Sequence, residues 1–358
     1  MSSRALSHPD DVPAYDAVIA TRNRVEALAL SIPRLLGQSC PPARLIVVDA
    51  SDDHAPIAGA VARLTEGWDG EVIVETAPPG LPRQRNVGLL HVTAPVVFFI
   101  DDDSLLCPGA AEAILAVYAR DTVGDIAAVC SAEEMTPPPE VVAAGGYAMT
   151  RDHKTEARMR RWRNRLEKRL SALKPAIRLG RVLNGRHGVP DWLAEYDAVP
   201  VEYMTGFRMS FRSTAIRQNG FDEALGGYAV DEDIDASFSA MLSGLVVGTK
   251  RARIYHHRFP GSRSAAFERG RMEVLNRAYV LLKHATGPLG SAAVANTVWR
   301  YHLMFTALKL ASLLPRATGK PGRARLAGAW AGHRMAKELW HVPTRDRAHV
   351  FLRPTLPI

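Results

Sequence analysis

The chain has 358 residues, 47% hydrophobic and 23% charged, a length that suggests about two domains and a composition that excludes a disordered, collagen-like or disulfide-stapled chain. Its three cysteines, Cys40, Cys107 and Cys130, are odd in number and form no C-x-x-C pair, which argues against a structural zinc site and for a reducing, cytoplasmic setting. The net charge of +8 divides unevenly: residues 1–150 carry −11, 151–195 carry +8, 196–250 carry −4 and 251–358 carry +15.

Residues 1–14 read as a tail without the apolar core of a signal peptide. Short apolar runs then alternate with helical patterns. Ala17–Ala20, Leu45–Val48, Glu71–Val74, Val96–Ile100 and Ile126–Cys130 are predicted strands. Between them, Val25–Leu36, Ala55–Leu64, Gln84–Leu90 and Gly109–Tyr118 are predicted helices. This alternation implies βαβ units and an α/β fold with a mostly parallel sheet flanked by helices. Residues 151–195 form a basic, helical insertion with a stripe of Met159, Trp162, Leu166, Leu170 and Leu173. A strand over Ala252–His257 closes the α/β unit, taken as residues 15–258, and residues 259–358 form a C-terminal helical region. There, Val294, Val298, Tyr301, Phe305 and Leu308 make a second stripe. No transmembrane span is expected, because the best candidate, 291–314, contains Arg300, His302 and Lys309.

A parallel sheet binds ligands beyond the carboxyl ends of its strands. Those ends carry Thr21-Arg22-Asn23, Asp49 to Asp53, and Asp101-Asp102-Asp103. Three adjacent carboxylates after a buried strand raise one another's pKa unless a cation offsets them. Asp101 and Asp103, two residues apart in an extended segment, face the same side and can share a Mg²⁺ or Mn²⁺ ion with a substrate diphosphate. Asp231-Glu232-Asp233, followed by Asp235, precedes the apolar stretch Ile234–Leu242. These acids either cap a helix or supply a general base. Arg83 and Arg85 in PRQRNVG can neutralise phosphate, and either of His256 and His257 can complete a metal shell.

Taken together, these blocks resemble an inverting family 2 glycosyltransferase of the GT-A fold, over roughly residues 15–285. AVIATRNR is similar to the opening strand and loop that bracket the nucleotide, which brings in Thr21 and Arg22. LIVVDASDD resembles the strand whose acids contact base and ribose, here Asp49 and Asp52. PRQRNVG resembles the A-R-N-x-G segment with Gln84 in place of alanine, and Arg85 and Asn86 retained. IDDDS resembles the metal-binding D-x-D. TGFRMSFR and GFDEALGGYAVDEDIDAS resemble the acceptor segment and the acidic block. The helix RGRMEVLNRAYVLLKH is similar to one common after this domain.

The resemblance implies direct metal coordination by Asp103. Asp101 takes the ribose or a water-mediated metal contact, and Asp102 belongs with the nucleotide contacts. His256 is the expected further metal ligand, with His257 the alternative. Asp233 takes the base position beside Glu232. Gly206, Arg212 and Asp231 fall on the acceptor side. The expected partners are a nucleotide-sugar donor, a glycan or lipid-linked acceptor in cell-surface polysaccharide or glycolipid assembly, and an anionic membrane at the cytoplasmic face. The absence of Q-x-x-R-W and of membrane spans implies single addition rather than processive synthesis. A sugar-nucleotide pyrophosphorylase would want a glycine-rich loop where Thr21–Arg24 stands, and a dehydrogenase would want G-x-G-x-x-G there. A nucleic-acid-binding module leaves the acidic trio without a role, so no nucleic acid is expected. A non-catalytic scaffold of the same fold leaves the retention of both acidic blocks unexplained.

Overall fold

A computed structural model describes residues 12–143, 174–226, 229–258, 265–314 and 319–352. The N-terminal part alternates β1 (Tyr15–Thr21), α1 (Val25–Leu36), β2 (Arg44–Asp49), α2 (Ala55–Leu64), β3 (Glu71–Thr76), α3 (Leu81–His91) and β4 (Val96–Asp101). β5 (Ser104–Leu106), α4 (Ala110–Arg120), β6 (Ile126–Glu134) and α5 (Pro139–Ala143) follow. The second part holds α6 (Pro175–Asn184), β7 (Ala198–Pro200), β8 (Met209–Arg212), α7 (Ser213–Arg217), α8 (Glu232–Ala240) and β9 (Leu245–His256). It ends in α9 (Ala266–Ala285), α10 (Ala292–Leu313), α11 (Gly319–His341) and α12 (Arg347–Phe351).

Among the described residues the strands form one sheet in the order β3-β2-β1-β4-β8-β6-β9-β5, with β7 also on β9. β1 to β4 are mutually parallel, β8 is antiparallel to both β4 and β6, and β6 runs parallel to β9. Alternate residues of each central strand enter opposite cores, as the period of two requires. Val18, Ile46, Val48, Val97 and Phe99 join one cluster, whereas Ala17, Ile19, Leu45, Val47 and Phe98 join the other. The first cluster continues without a break into α9–α12 through Leu275, Ala278, Val298, Leu339 and Phe351.

Two predicted elements begin earlier than the sequence suggests: the strand expected over Ala252–His257 is β9, which starts at Leu245, and a helix does likewise. α3 starts at Leu81, three residues before the expected Gln84, with Pro82 in its first turn. Proline is tolerated there because its missing N–H has no helical partner to lose. The short antiparallel strands β5, β7 and β8 carry no alternation long enough to read. The stripe over residues 159–173 lies outside the described residues. On α10 the buried side is rotated from the expected stripe: Ala295, Val298, Trp299, His302, Thr306 and Leu313 are inside, and Leu308 is exposed.

Candidate active site

The site lies at the carboxyl end of β4, where the buried run VVFFI ends in Asp101. The Asp101 N–H donates to Ser104 Oγ at 3.1 Å, and that hydroxyl donates to the Phe207 carbonyl at 2.8 Å. This tight turn separates the three aspartates. Asp102 turns inward, accepting from Thr21 Oγ1 and Arg24 Nη1, each at 2.9 Å. Asp101 and Asp103 converge on His256, the last residue of β9, which is set in register with Ser104 of β5. Each of the three offers a ligand atom, and all these atoms lie within 4.8 Å of one another. His256 Nε2 is 3.3 Å from Asp103 Oδ1, and its ring stacks on Phe207 at 4.5 Å. Burial lowers the affinity of this imidazole for its proton, but Asp103 and Asp101 outweigh burial and raise it. Two carboxylates and an imidazole in this arrangement suit an oxygen-preferring divalent cation such as Mg²⁺ or Mn²⁺. His257 follows β9 and does not join the cluster.

A second acidic group meets the first through Arg85. Its guanidinium, 1% exposed, bonds Glu232, Asp101 Oδ1 at 2.9 Å and the Gly206 carbonyl at 3.0 Å. The Gly206 N–H in turn donates to Asp233 Oδ2 at 3.0 Å, and Asp233 Oδ1 accepts from the Ile234 N–H at 2.9 Å. Gly206 is close-packed here: a β-carbon would lie 3.1 Å from Glu232 Oε1. Burial and the neighbouring Asp231 push the Asp233 carboxyl up to about 6, against the two N–H bonds it accepts. Burial also drives Glu232 upward, and its second oxygen has no hydrogen-bond partner among the described residues. Asp231, at φ +73°, is gripped by Arg277 of α9 through two bonds of 2.5 and 2.7 Å.

Past β2, buried Asp49 accepts from the Ser51 N–H and hydroxyl and lies 2.7 Å from His54 Nδ1. Exposed Asp52 accepts from Arg22 and Asn23, which hold its carboxyl below the usual range. Beside them is an open cavity of roughly 360 Å³ lined by Ser51, Asp52, His54, Thr76, Ala77 and Pro78.

The structure therefore gathers Asp101, Asp103, His256, Arg85, Gly206, Glu232 and Asp233, and leaves other expected residues elsewhere. Arg212, expected beside the acceptor, lies away from this group. It stands at the far end of β8 opposite Val96, where it binds the carbonyls of Ile126 and Asp121 and the Asp121 carboxylate. Asn86 is used internally, on the Phe221 backbone and Glu223. Arg85 lies beneath the carboxylates rather than open to a phosphate. Gln84, the departure from the expected alanine, clamps the ends of β1 and β2 by donating to the Thr21 and Val48 carbonyls at 2.9 and 3.0 Å. Phe207 and Ser104 carry no sequence signal of their own.

The mostly parallel sheet flanked by helices is a fold of the GT-A type. Residues 16–169 match the family model described as Glycosyl transferase family 2. No curated protein matches the chain in sequence. Among solved structures, the mannosyltransferase PcManGT from Pyrobaculum calidifontis, in complex with GDP-Man and Mn²⁺, is similar in fold at a TM-score of 0.52. Its identity is 16%, over 96% of this chain and 86% of that one. S. aureus TarS 1–349 gives a TM-score of 0.47 at 14% identity, over 95% of this chain and 89% of that one. GalNAc-T7 with UDP, GalNAc and Mn²⁺ gives 0.47 at 13%, over 84% and 58%.

Proposed function

We propose that the protein transfers a single sugar from a nucleotide-sugar to an acceptor hydroxyl, with inversion and with Mg²⁺ or Mn²⁺ as cofactor. The observation that carries this reading is the convergence of Asp101, Asp103 and His256 beside a carboxylate, Asp233, of raised proton affinity. Asp101, Asp103 and His256 would hold a divalent cation, which when bound would supply Lewis-acid neutralisation of the diphosphate leaving group. The cavity beyond β2 and β3 suits the nucleobase, with Asp52 at its rim. Asp233 accepts the proton of the acceptor hydroxyl as that oxygen attacks the anomeric carbon from the face opposite the nucleotide. The Gly206 and Ile234 N–H groups each hold one carboxylate oxygen and so fix the orientation of the carboxylate, whose remaining lone pairs accept the proton. Arg85 holds Glu232 and Asp101 in one frame, so the proton acceptor and the donor-binding acids keep a fixed separation. A glycan or lipid-linked acceptor in cell-envelope assembly fits this chemistry.

The test uses Asp233→Asn and Asp103→Ala in a screen of nucleotide-sugars. Asp233→Asn should bind donor as the wild type does and lose transfer by at least about 100-fold. Asp103→Ala should lose the part of nucleotide binding that requires Mn²⁺. Wild-type transfer rates in Asp233→Asn would refute the base assignment.

A further inference from the structure

α9 is flanked by α10 and α11, which run antiparallel to each other. Trp299 of α10 stacks on Trp340 of α11 at 4.9 Å, and at the other end Leu310 and Leu313 meet Leu326 and Ala329. The cations on the inner side of this assembly are paired: Arg269, Lys309 and Arg325 all bind Glu273. Those on the outer side are not. Arg300, Arg323, Arg334 and Lys337 are exposed and have no ion-pair partner among the described residues.

On α11 the outer residues form a single strip. Arg323, Trp330, Arg334, Lys337 and His341 are all exposed and follow one another at seven, four, three and four residues, which places them on one face of the helix. Gly328, Ala329, Gly332, Ala336 and Leu339 are buried on the opposite face. The strip spans about 27 Å at 1.5 Å per residue. Trp330, at its centre, is 52% exposed, and the neighbouring α10 presents Leu308 at 49% and, just past its end, Leu314 at 63%. The only acid on α11 is Glu338.

We propose that the outer face of the α10–α11 hairpin docks on an anionic lipid bilayer. Arg323, Arg334 and Lys337 would lie against lipid phosphates, with Trp330 at headgroup depth. Cations on one face suit any polyanion, but an exposed indole in the middle of them, with bare leucines on the adjacent helix, suits a surface that is charged outside and apolar just beneath. The contact is peripheral, since no helix among the described residues is long and apolar enough to cross a membrane. The inference is independent of the proposed reaction, because none of these residues belongs to the acidic centre.

The experiment is co-sedimentation of the full chain with vesicles of phosphatidylcholine, alone or mixed with phosphatidylglycerol. Binding should require phosphatidylglycerol and weaken with salt. Arg323→Gln, Arg334→Gln and Lys337→Gln together should lower partitioning roughly 100-fold, and Trp330→Ser several-fold. Should the triple variant melt early, each single variant gives the same reading at about fivefold. Equal binding to neutral vesicles, or undiminished binding by these variants, would overturn the proposal. So would a chain that ignores vesicles but binds RNA, or self-associates, through the same residues.

Discussion

Arg85 is the residue on which the acidic centre turns. A guanidinium offers several N–H donors in a rigid fork, so one side chain serves Glu232, Asp101 and the Gly206 carbonyl together. Arg85→Gln removes that positive charge. Because the charge is one of the influences holding the Asp233 carboxyl down, the acid limb of the rate profile should move to higher pH, with kcat reduced roughly 100-fold by misplacement. A purely structural role would lower the melting midpoint without moving that limb. As the proposed base, Asp233 must be deprotonated to accept a proton, and its pKa is raised to about 6. Transfer should therefore fall as pH drops through about 6, and a rate–pH profile measured with saturating Mn²⁺ checks this. Asp101 and Asp103 were legible from the sequence because three adjacent carboxylates after an apolar strand are costly without a partner. The role of Arg85 was not legible, since nothing in PRQRNVG says that its arginine is buried under the carboxylates.

At the scale of elements, α9 acts as a buttress for the loop and helix that carry Asp231, Glu232 and Asp233. Arg277 holds Asp231, Asn276 donates to the Val230 carbonyl, and Lys283 bridges Asp222 and Asp235. Asp235 also pairs with His284 at 2.8 Å. Burial would raise the Asp235 carboxyl, yet His284 and Lys283 outweigh it and hold the carboxyl below its ordinary value. A depressed carboxyl contributes stability above its unfolded pKa and loses it as pH falls through the folded one. Asp235→Asn should thus cost about 3 kcal/mol at neutral pH by breaking the buried contact with His284 and the ion pair with Lys283. It should also flatten the loss of stability in acid. Urea unfolding at neutral and acid pH measures both. The helix itself was readable from the segment RGRMEVLNRAYVLLKH, but its partners were not, because they lie 46 to 61 residues away along the chain.

For the molecule as a whole, the buried cluster on one face of the sheet is continuous with the C-terminal helices. α9 and α11 cross at very short range, where a β-carbon on Gly328 would lie 1.9 Å from the Phe267 carbonyl oxygen. We propose that residues 259–358 are part of the catalytic unit rather than an appendage. A chain ending at residue 258 should lose its cooperative thermal transition, because it exposes one side of that cluster and strips Asp222, Asp231 and Asp235 of their cations. A cooperative melt of the truncated chain near the full-length midpoint would show that the α/β unit stands alone.

The sequence by itself determined the strand–helix alternation, the edge of the sheet at which the polar loop residues collect, and the two acidic blocks. Each is written in local periodicity or in adjacent residues. Only the tertiary structure decided that β8 enters the sheet antiparallel and that His256 rather than His257 joins Asp101 and Asp103. It also decided that Arg212 anchors the opposite end, and that the unpaired cations of α11 share one face with Trp330. These outcomes depend on which distant segments meet, and burial and pairing across the core settle that, not the neighbours of each residue along the chain.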